Sequence, residues 1–252
     1  MLGDFDANVR KIRDFTGLAK KSGAEFIAFP EMTDTGYSMP VIQKHAKKWK
    51  EGAVTELQKI AKENSIAIVA GISDREGESI FNAQVLVNAR GEVLGKYRKT
   101  HLVTAAPLDE RVCLSPGNEF VARKIDNFEV GLSICYDLRF PEMARTLVVK
   151  HGANVIVNSS AWPVVRAEHL KILAVARAVE NQSYVMIANR VGTDDGVTFC
   201  GSSMIVDPSG KTLGVASPDR EDLITAEISV DVIAQVRNLV RVFDHRRPEL
   251  YN

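Results

Sequence analysis

Gly131-Leu132-Ser133-Ile134-Cys135-Tyr136-Asp137-Leu138-Arg139-Phe140-Pro141-Glu142 runs from apolar residues through a polar turn to a proline. Proline is tolerated in the first helical turn, where its missing N–H would have had no partner. The order therefore predicts a strand at 130–134, a turn, and a helix over about 141–150. The alternation continues on both sides. Downstream lie a strand at 154–157, a helix near 167–181 and a strand at 184–188. Upstream, Val9, Ile12, Phe15, Leu18 and Ala19 recur at three-to-four spacing across a helix at 8–22, closed by Gly23. The apolar run 25–29 stops at Pro30 and reads as a buried strand ending at Glu31. A helix at 54–64 and a strand at 66–70 repeat the pattern. This is α/β alternation with no linker in it.

Two hairpins are superimposed on that alternation. Residues 84–87 and 92–97 flank Asn88-Ala89-Arg90-Gly91, and residues 204–206 and 211–215 flank Asp207-Pro208-Ser209-Gly210. Phe81, Gly91, Leu94 and Gly95 correspond in order to Phe199, Gly210, Leu213 and Gly214 once one extra residue is allowed, so a two-fold internal repeat is also expected. An α/β fold of the αββα four-layer sandwich type, one domain over residues 1–252, accounts for both features. The pattern alone also admits a three-layer doubly wound fold.

With 252 residues, 45% of them hydrophobic, the chain is long enough for one substantial core. Lys plus Arg and Asp plus Glu number 32 each, so no basic excess points to nucleic acid, and a small or neutral partner is expected. The apolar runs fall far short of the roughly 18 residues that span a bilayer, and no secretory signal precedes the first helix. Cys113, Cys135 and Cys200 are an odd, widely spaced set that suits free thiols in the cytoplasm. No CxxC or HExxH pattern suggests a metal, and neither GxGxxG nor GxxxxGK[ST] suggests a nucleotide cofactor.

Three side chains follow predicted strands and together make a reactive set. Cys135 supplies a thiol beside backbone N–H groups that can receive an oxyanion, Glu31 a carboxylate, and Lys99, in Lys96-Tyr97-Arg98-Lys99-Thr100-His101-Leu102, a cation. Each has a plain alternative: a strand-end Cys is commonly a small buried hydrophobe, and Glu and Lys are commonly solvated. As a set they match thiol amidase chemistry. The Cys attacks the amide carbon, the carboxylate takes the thiol proton and passes it to departing ammonia, and the cation holds the oxyanion. A Cys-His pairing through His101 or His169 is the rival arrangement.

Phe29-Pro30-Glu31, the Tyr97 to Leu102 stretch and Ile134-Cys135-Tyr136-Asp137-Leu138-Arg139-Phe140-Pro141-Glu142 resemble the three signature regions of the nitrilase superfamily. The likeness extends from Gly3-Asp4 through Ala176-Arg177-Ala178-Val179-Glu180-Asn181-Gln182 to Phe243-Asp244-His245-Arg246-Arg247-Pro248-Glu249. It implies the αββα sandwich, a Glu31-Lys99-Cys135 triad, no metal or organic cofactor, and a homodimer or larger homo-oligomer; the balanced charge and short apolar runs are the grounds for expecting no nucleic-acid or membrane partner. It further implies that Glu110, ahead of Pro116-Gly117, is a second glutamate positioning the Lys and the substrate. Lys99 and the Tyr136 backbone N–H would hold the oxyanion, and Trp162 and Tyr37 would border the substrate. Members of the superfamily begin with a hydrophobic strand ahead of the segment matching Gly3-Asp4; this chain starts at Met1-Leu2 without it, so one sheet is expected to lack a strand.

The Ala161-Trp162-Pro163 loop resembles branches that hydrolyse small carboxamides, ω-amidases among them. An N-carbamoyl amine hydrolase is the alternative, with Arg139, Arg166 and Arg190 as candidate carboxylate partners. A catalytically silent interaction protein on the same fold is the other.

Overall fold

The computed structural model describes residues 1–105 and 108–251. Helix α1 (Phe5–Lys21) opens on Asp4, whose side chain accepts the Ala7 N–H at 3.0 Å, and closes on Lys20 and Lys21. Acid at the start and base at the end suit the helix dipole. Its inward stripe is narrower than the sequence suggests, because Ile12 and Ala19 are buried whereas Leu18 is exposed. Strand β1 (Phe26–Phe29) follows, then the short α2 (Met39–His45) and α3 (Ala53–Asn64). β2 (Ala67–Glu76), β3 (Ser79–Val87) and β4 (Val93–Arg98) complete a first sheet of order β1-β2-β3-β4. β1 runs parallel to β2, and the other pairs are antiparallel.

Strand alternation divides this sheet into two faces. Ile68, Ala70 and Ile72 of β2 and Ala83, Val85 and Val87 of β3 pack with Ile12 of α1 and with Leu57 and Ile60 of α3. Each fully buried Leu or Ile there contributes about 2 kcal/mol. Val69 and Leu86 point the other way, into a cluster with Leu132, Ile134 and Val157 of the second sheet.

That sheet is formed by β5 (Ala122–Ile125), β6 (Phe128–Ile134), β7 (Val155–Ser160) and β8 (Tyr184–Asn189), with the β9 (Val191–Asp194) and β10 (Val197–Cys200) ribbon set apart. β11 (Met204–Val206) and β12 (Thr212–Val215) finish it, in the order β12-β11-β8-β7-β6-β5, with β6, β7 and β8 parallel. Helix α4 (Pro141–Val149) covers its outer face through Met143 and Leu147, α5 (Ala167–Asn181) through Leu170, Ala174 and Ala178, and α6 (Val230–Leu239) adds Ile233. The layers are thus helices, sheet, sheet, helices: an αββα sandwich.

The contact between the sheets is not wholly apolar. Gln84 Nε2 on β3 donates to Ser159 Oγ on β7 at 2.8 Å, and Ser159 Oγ donates to the Phe29 carbonyl at 2.7 Å. Asn158 Nδ2 donates to Ser133 Oγ at 3.1 Å within the second sheet. These directional bonds fix the relative position of the sheets where dispersion contacts alone would tolerate sliding. The two predicted hairpins are β3–β4 and β11–β12; each lies at a sheet edge and each contains a register shift. The β9–β10 ribbon, β5, α2 and α6 had no counterpart in the sequence reading, and β2 is longer than expected because it continues past its apolar run through Asp74 to Glu76.

Among the described residues β1 pairs with β2 alone. A groove of 1140 Å³ follows its free edge, lined by residues 26–29 on one side and 223–228 on the other.

Candidate active site

The ends of three strands meet where the sheets face each other. Glu31 lies just beyond β1, with its N–H toward the Ser160 carbonyl at 3.4 Å. Its backbone presses on β2 so closely that a Cβ on Gly71 would sit 2.6 Å from the Glu31 Cα, which is why that position has no side chain. Lys99 follows β4, with its N–H donating to the Asn82 carbonyl and its carbonyl accepting the Gly117 N–H, both at 2.8 Å. Cys135 ends β6 in the left-handed region at φ 44°, at the head of a 3-10 segment, Cys135–Arg139. For a residue with a Cβ that conformation costs about 1 kcal/mol, and it turns the chain sharply so that the side chain stands at the bend.

Lys99 Nζ lies 2.8 Å from Glu31 Oε1 and 2.8 Å from Glu110 Oε1, and all three side chains are fully buried. Asn82 Nδ2 donates to the same two oxygens at 2.6 and 3.1 Å. The outer oxygens are held by backbone: the Ala161 N–H reaches Glu31 Oε2 at 2.8 Å, and the Val103 N–H reaches Glu110 Oε2 at 2.7 Å. The Tyr37 hydroxyl donates to Glu110 Oε1 at 2.9 Å. Buried charges need such compensation, and two carboxylates around one ammonium exceed what the cation alone can neutralise.

These surroundings set the protonation states. Burial raises the Glu31 carboxyl, an effect the Lys99 charge opposes. Burial alone would depress Lys99, yet the charges of Glu110 and Glu31 hold it well above the ordinary lysine range. Burial pushes the Cys135 thiol well up, Glu31 adds to that, and Lys99 and the Ala161 N–H pull back. The thiol is therefore harder to ionise than a free cysteine, while the two glutamates keep the ammonium charged. The proton must leave the sulfur as the bond to substrate forms.

Tyr136 is second in its 3-10 segment, where an N–H has no carbonyl behind it within the helix. Trp162 is buried, its Nε1 donating to the Arg166 carbonyl and its N–H to Asn189 Oδ1, both at 2.8 Å. Tyr37 is buried against Glu110 and stacks edge-on with Phe199. His101 Nδ1 is 2.8 Å from Asp137 Oδ1, and His169 Nδ1 is 3.3 Å from Arg139 Nη2. No hydrogen bond joins either imidazole to Cys135 among the described residues, which removes the support for a Cys-His pair. Sequence reasoning missed Asn82 and the Ala161 N–H. Asn82 had a signal: with Gln84 and Leu86 it follows the period-two row of β3 that faces the second sheet, where an amide must have a partner. A backbone N–H has no such signature.

Residues 1–238 match the family model described as carbon-nitrogen hydrolase. The chain belongs to the carbon-nitrogen hydrolase family. It is an amidase of the nitrilase superfamily, and it is similar to the 2-oxoglutaramate amidase of Bacillus subtilis (strain 168), with 35% identity over 97% of this chain and 93% of that protein. The omega-amidase NIT2 of Homo sapiens is 30% identical over 97% of this chain and 91% of its own. Among solved structures, a variant of the amidase from Nesterenkonia sp. AN1 superposes with a TM-score of 0.85 at 27% identity, covering 100% of this chain and 94% of that one; it shows the result of Michael addition of acrylamide at the active-site cysteine. No helix among the described residues is long and apolar enough to cross a membrane.

Proposed function

We propose that this amidase hydrolyses the terminal carboxamide of a small anionic molecule, an ω-amide of a dicarboxylic acid, through a thioester on Cys135. The observation that carries the proposal is the buried Lys99 bridging Glu31 and Glu110 beside the thiol. Glu31 takes the thiol proton as sulfur bonds to the amide carbon, and the oxyanion is held by Lys99 and the Tyr136 N–H. Collapse breaks the carbon–nitrogen bond, Glu31 delivers the proton to nitrogen, and ammonia leaves. Water activated by Glu31 then attacks the thioester, releasing the carboxylic acid and restoring the thiol. Glu110, anchored by Val103 and Tyr37, keeps Lys99 in place throughout.

The anionic end is assigned to Arg139. Its guanidinium lies 4.8 Å from the Trp162 ring centroid and 5.8 Å from that of Tyr136, and its Nη2 is 3.3 Å from His169 Nδ1, with no carboxylate partner among the described residues. Burial lowers its pKa, which neighbouring Tyr136 opposes and Arg166 reinforces. A substrate carboxylate would supply the missing counter-charge while its amide reached the thiol. The similarity to a 2-oxoglutaramate amidase supports this substrate class. Cytoplasmic residence fits three free thiols, and a homodimer is proposed from the likeness to the superfamily.

Ammonia release from a panel of neutral amides, ω-amides of dicarboxylic acids, carbamoyl amines and nitriles tests the reading against the Cys135→Ala variant. Release from the anionic ω-amides that vanishes in the variant is the expected result. Release only from carbamoyl amines would replace this substrate class with the other, and no release from any compound would sink the proposal.

A further inference from the structure

The side chain of Asp137 is buried two residues beyond the thiol, and it touches both arms of the site. Asp137 Oδ2 accepts the Ile134 N–H at 2.9 Å and the Tyr97 hydroxyl at 2.6 Å. Asp137 Oδ1 accepts the His101 N–H at 3.2 Å and lies 2.8 Å from His101 Nδ1. The Tyr97 hydroxyl in turn accepts the Thr100 N–H at 3.1 Å, and the His101 ring stacks on Phe140 with centroids 3.8 Å apart. One carboxylate thus binds the residue before Cys135 and two residues, Tyr97 and His101, that flank Lys99 at two positions each.

The sulfur and the ammonium are carried by different sheets, and Cys135 occupies a conformation that its own backbone disfavours. Something must hold the bend and set it against the Lys99 loop. Packing contributes, but only directional bonds fix the bend to a fraction of an ångström. We infer that Asp137 is a positioning residue that clamps the Cys135 bend to the Lys99 loop, through Ile134 on one side and Tyr97 and His101 on the other. This rests on Cys135 being the nucleophile, as in the reading above. Asp137 itself contacts no reacting atom.

The sign of one measurement separates positioning from simple electrostatics. Removing a negative charge near a thiol favours the thiolate and speeds alkylation. Loosening the clamp does the opposite, because the thiol loses its alignment with Glu31 and Lys99. The test is the rate at which iodoacetamide modifies Cys135, read by mass spectrometry of the Cys135 peptide, in the parent and in Asp137→Asn, with folding checked by circular dichroism. This rate does not depend on which amide is the natural substrate. We expect Asp137→Asn to slow alkylation at least about tenfold and to lower kcat by about 100-fold with KM little changed, the size expected from a misplacement of about 1 Å. Tyr97→Phe and His101→Gln, which each remove one strut and leave Asp137 in place, should give smaller losses of the same sign; they decide the matter if Asp137→Asn does not fold. Unchanged or faster alkylation in folded variants would overturn the clamp. A parent Cys135 no more reactive than Cys113 would overturn the nucleophile assignment and this inference with it.

Discussion

Replacing Lys99 by methionine keeps the volume and apolar stem of the side chain and removes its charge. Two hydrogen-bonded ion pairs, each 2.8 Å long and fully buried, are lost at once. Breaking one buried pair by removing a partner costs about 3–5 kcal/mol, because the remaining charge stays in the interior. Here two carboxylates remain, sharing Asn82 as a donor, so the loss should reach at least the upper end of that range near neutral pH. Burial already raises the Glu31 carboxyl while Lys99 opposes it, so without Lys99 it must rise further. A carboxyl raised in the folded state adds stability that is complete below the unfolded carboxylate value of about 4.3 and is lost as pH rises through the folded value. The gap between Lys99→Met and the parent should therefore narrow from about pH 8 to about pH 5, as the raised Glu31 carboxyl protonates. Urea unfolding followed by tryptophan fluorescence at both pH values measures this. Adding Glu110→Gln to Lys99→Met removes one of the stranded charges and should recover about 1–3 kcal/mol at the higher pH without restoring activity. If the double variant is no more stable than the single one, or if the gap is independent of pH, the site is not held together by the charge balance described here.

Arg139→Met should raise KM for an anionic ω-amide by about 10- to 100-fold, the worth of a charge-assisted bond, while leaving neutral amides nearly unaffected; equal losses on both would place Arg139 elsewhere than at the carboxylate. Gly71→Ala drives a methyl group into the Glu31 backbone, so steady-state kinetics should show a lowered kcat and a melt a loss of about 1–3 kcal/mol. Light scattering should give the mass of a dimer, and a monomer at working concentration would refute the proposed assembly.

Much of the architecture could be read from residues 130–188, because buried strands there are short apolar runs and the helices between them keep a 3.6-residue period. The β9–β10 ribbon could not, since Val191-Gly192-Thr193-Asp194 holds one large apolar residue and its buried end is a charged Asp194. The end of β2 was hidden for a different reason. Asp74 looks like a loop residue in sequence but is buried under Lys96 and Arg98, a pairing that exists only after β4 is in place. Within the site, Glu31, Lys99 and Cys135 stand out because each charged or reactive group ends an apolar run. Glu110 lies between Asp109 and Arg111 and reads as surface; Tyr37, Asn82, Val103 and Lys99, brought from other segments, hold it in the interior. Long-range partners, not local pattern, turn such residues into parts of a site.

The polar seam between the sheets has a consequence for how the thiol becomes reactive at all. Glu31 and Lys99 are delivered by the first sheet and Cys135 by the second, so neither half of the chain carries a competent nucleophile by itself. Until Gln84 engages Ser159, and Ser159 the Phe29 carbonyl, the cysteine has neither its proton acceptor nor its cation. A chain emerging during synthesis, or one opened along that seam, holds an ordinary thiol with little appetite for electrophiles. The chemistry thus depends on the docking of the two sheets, and opening the seam disarms the site.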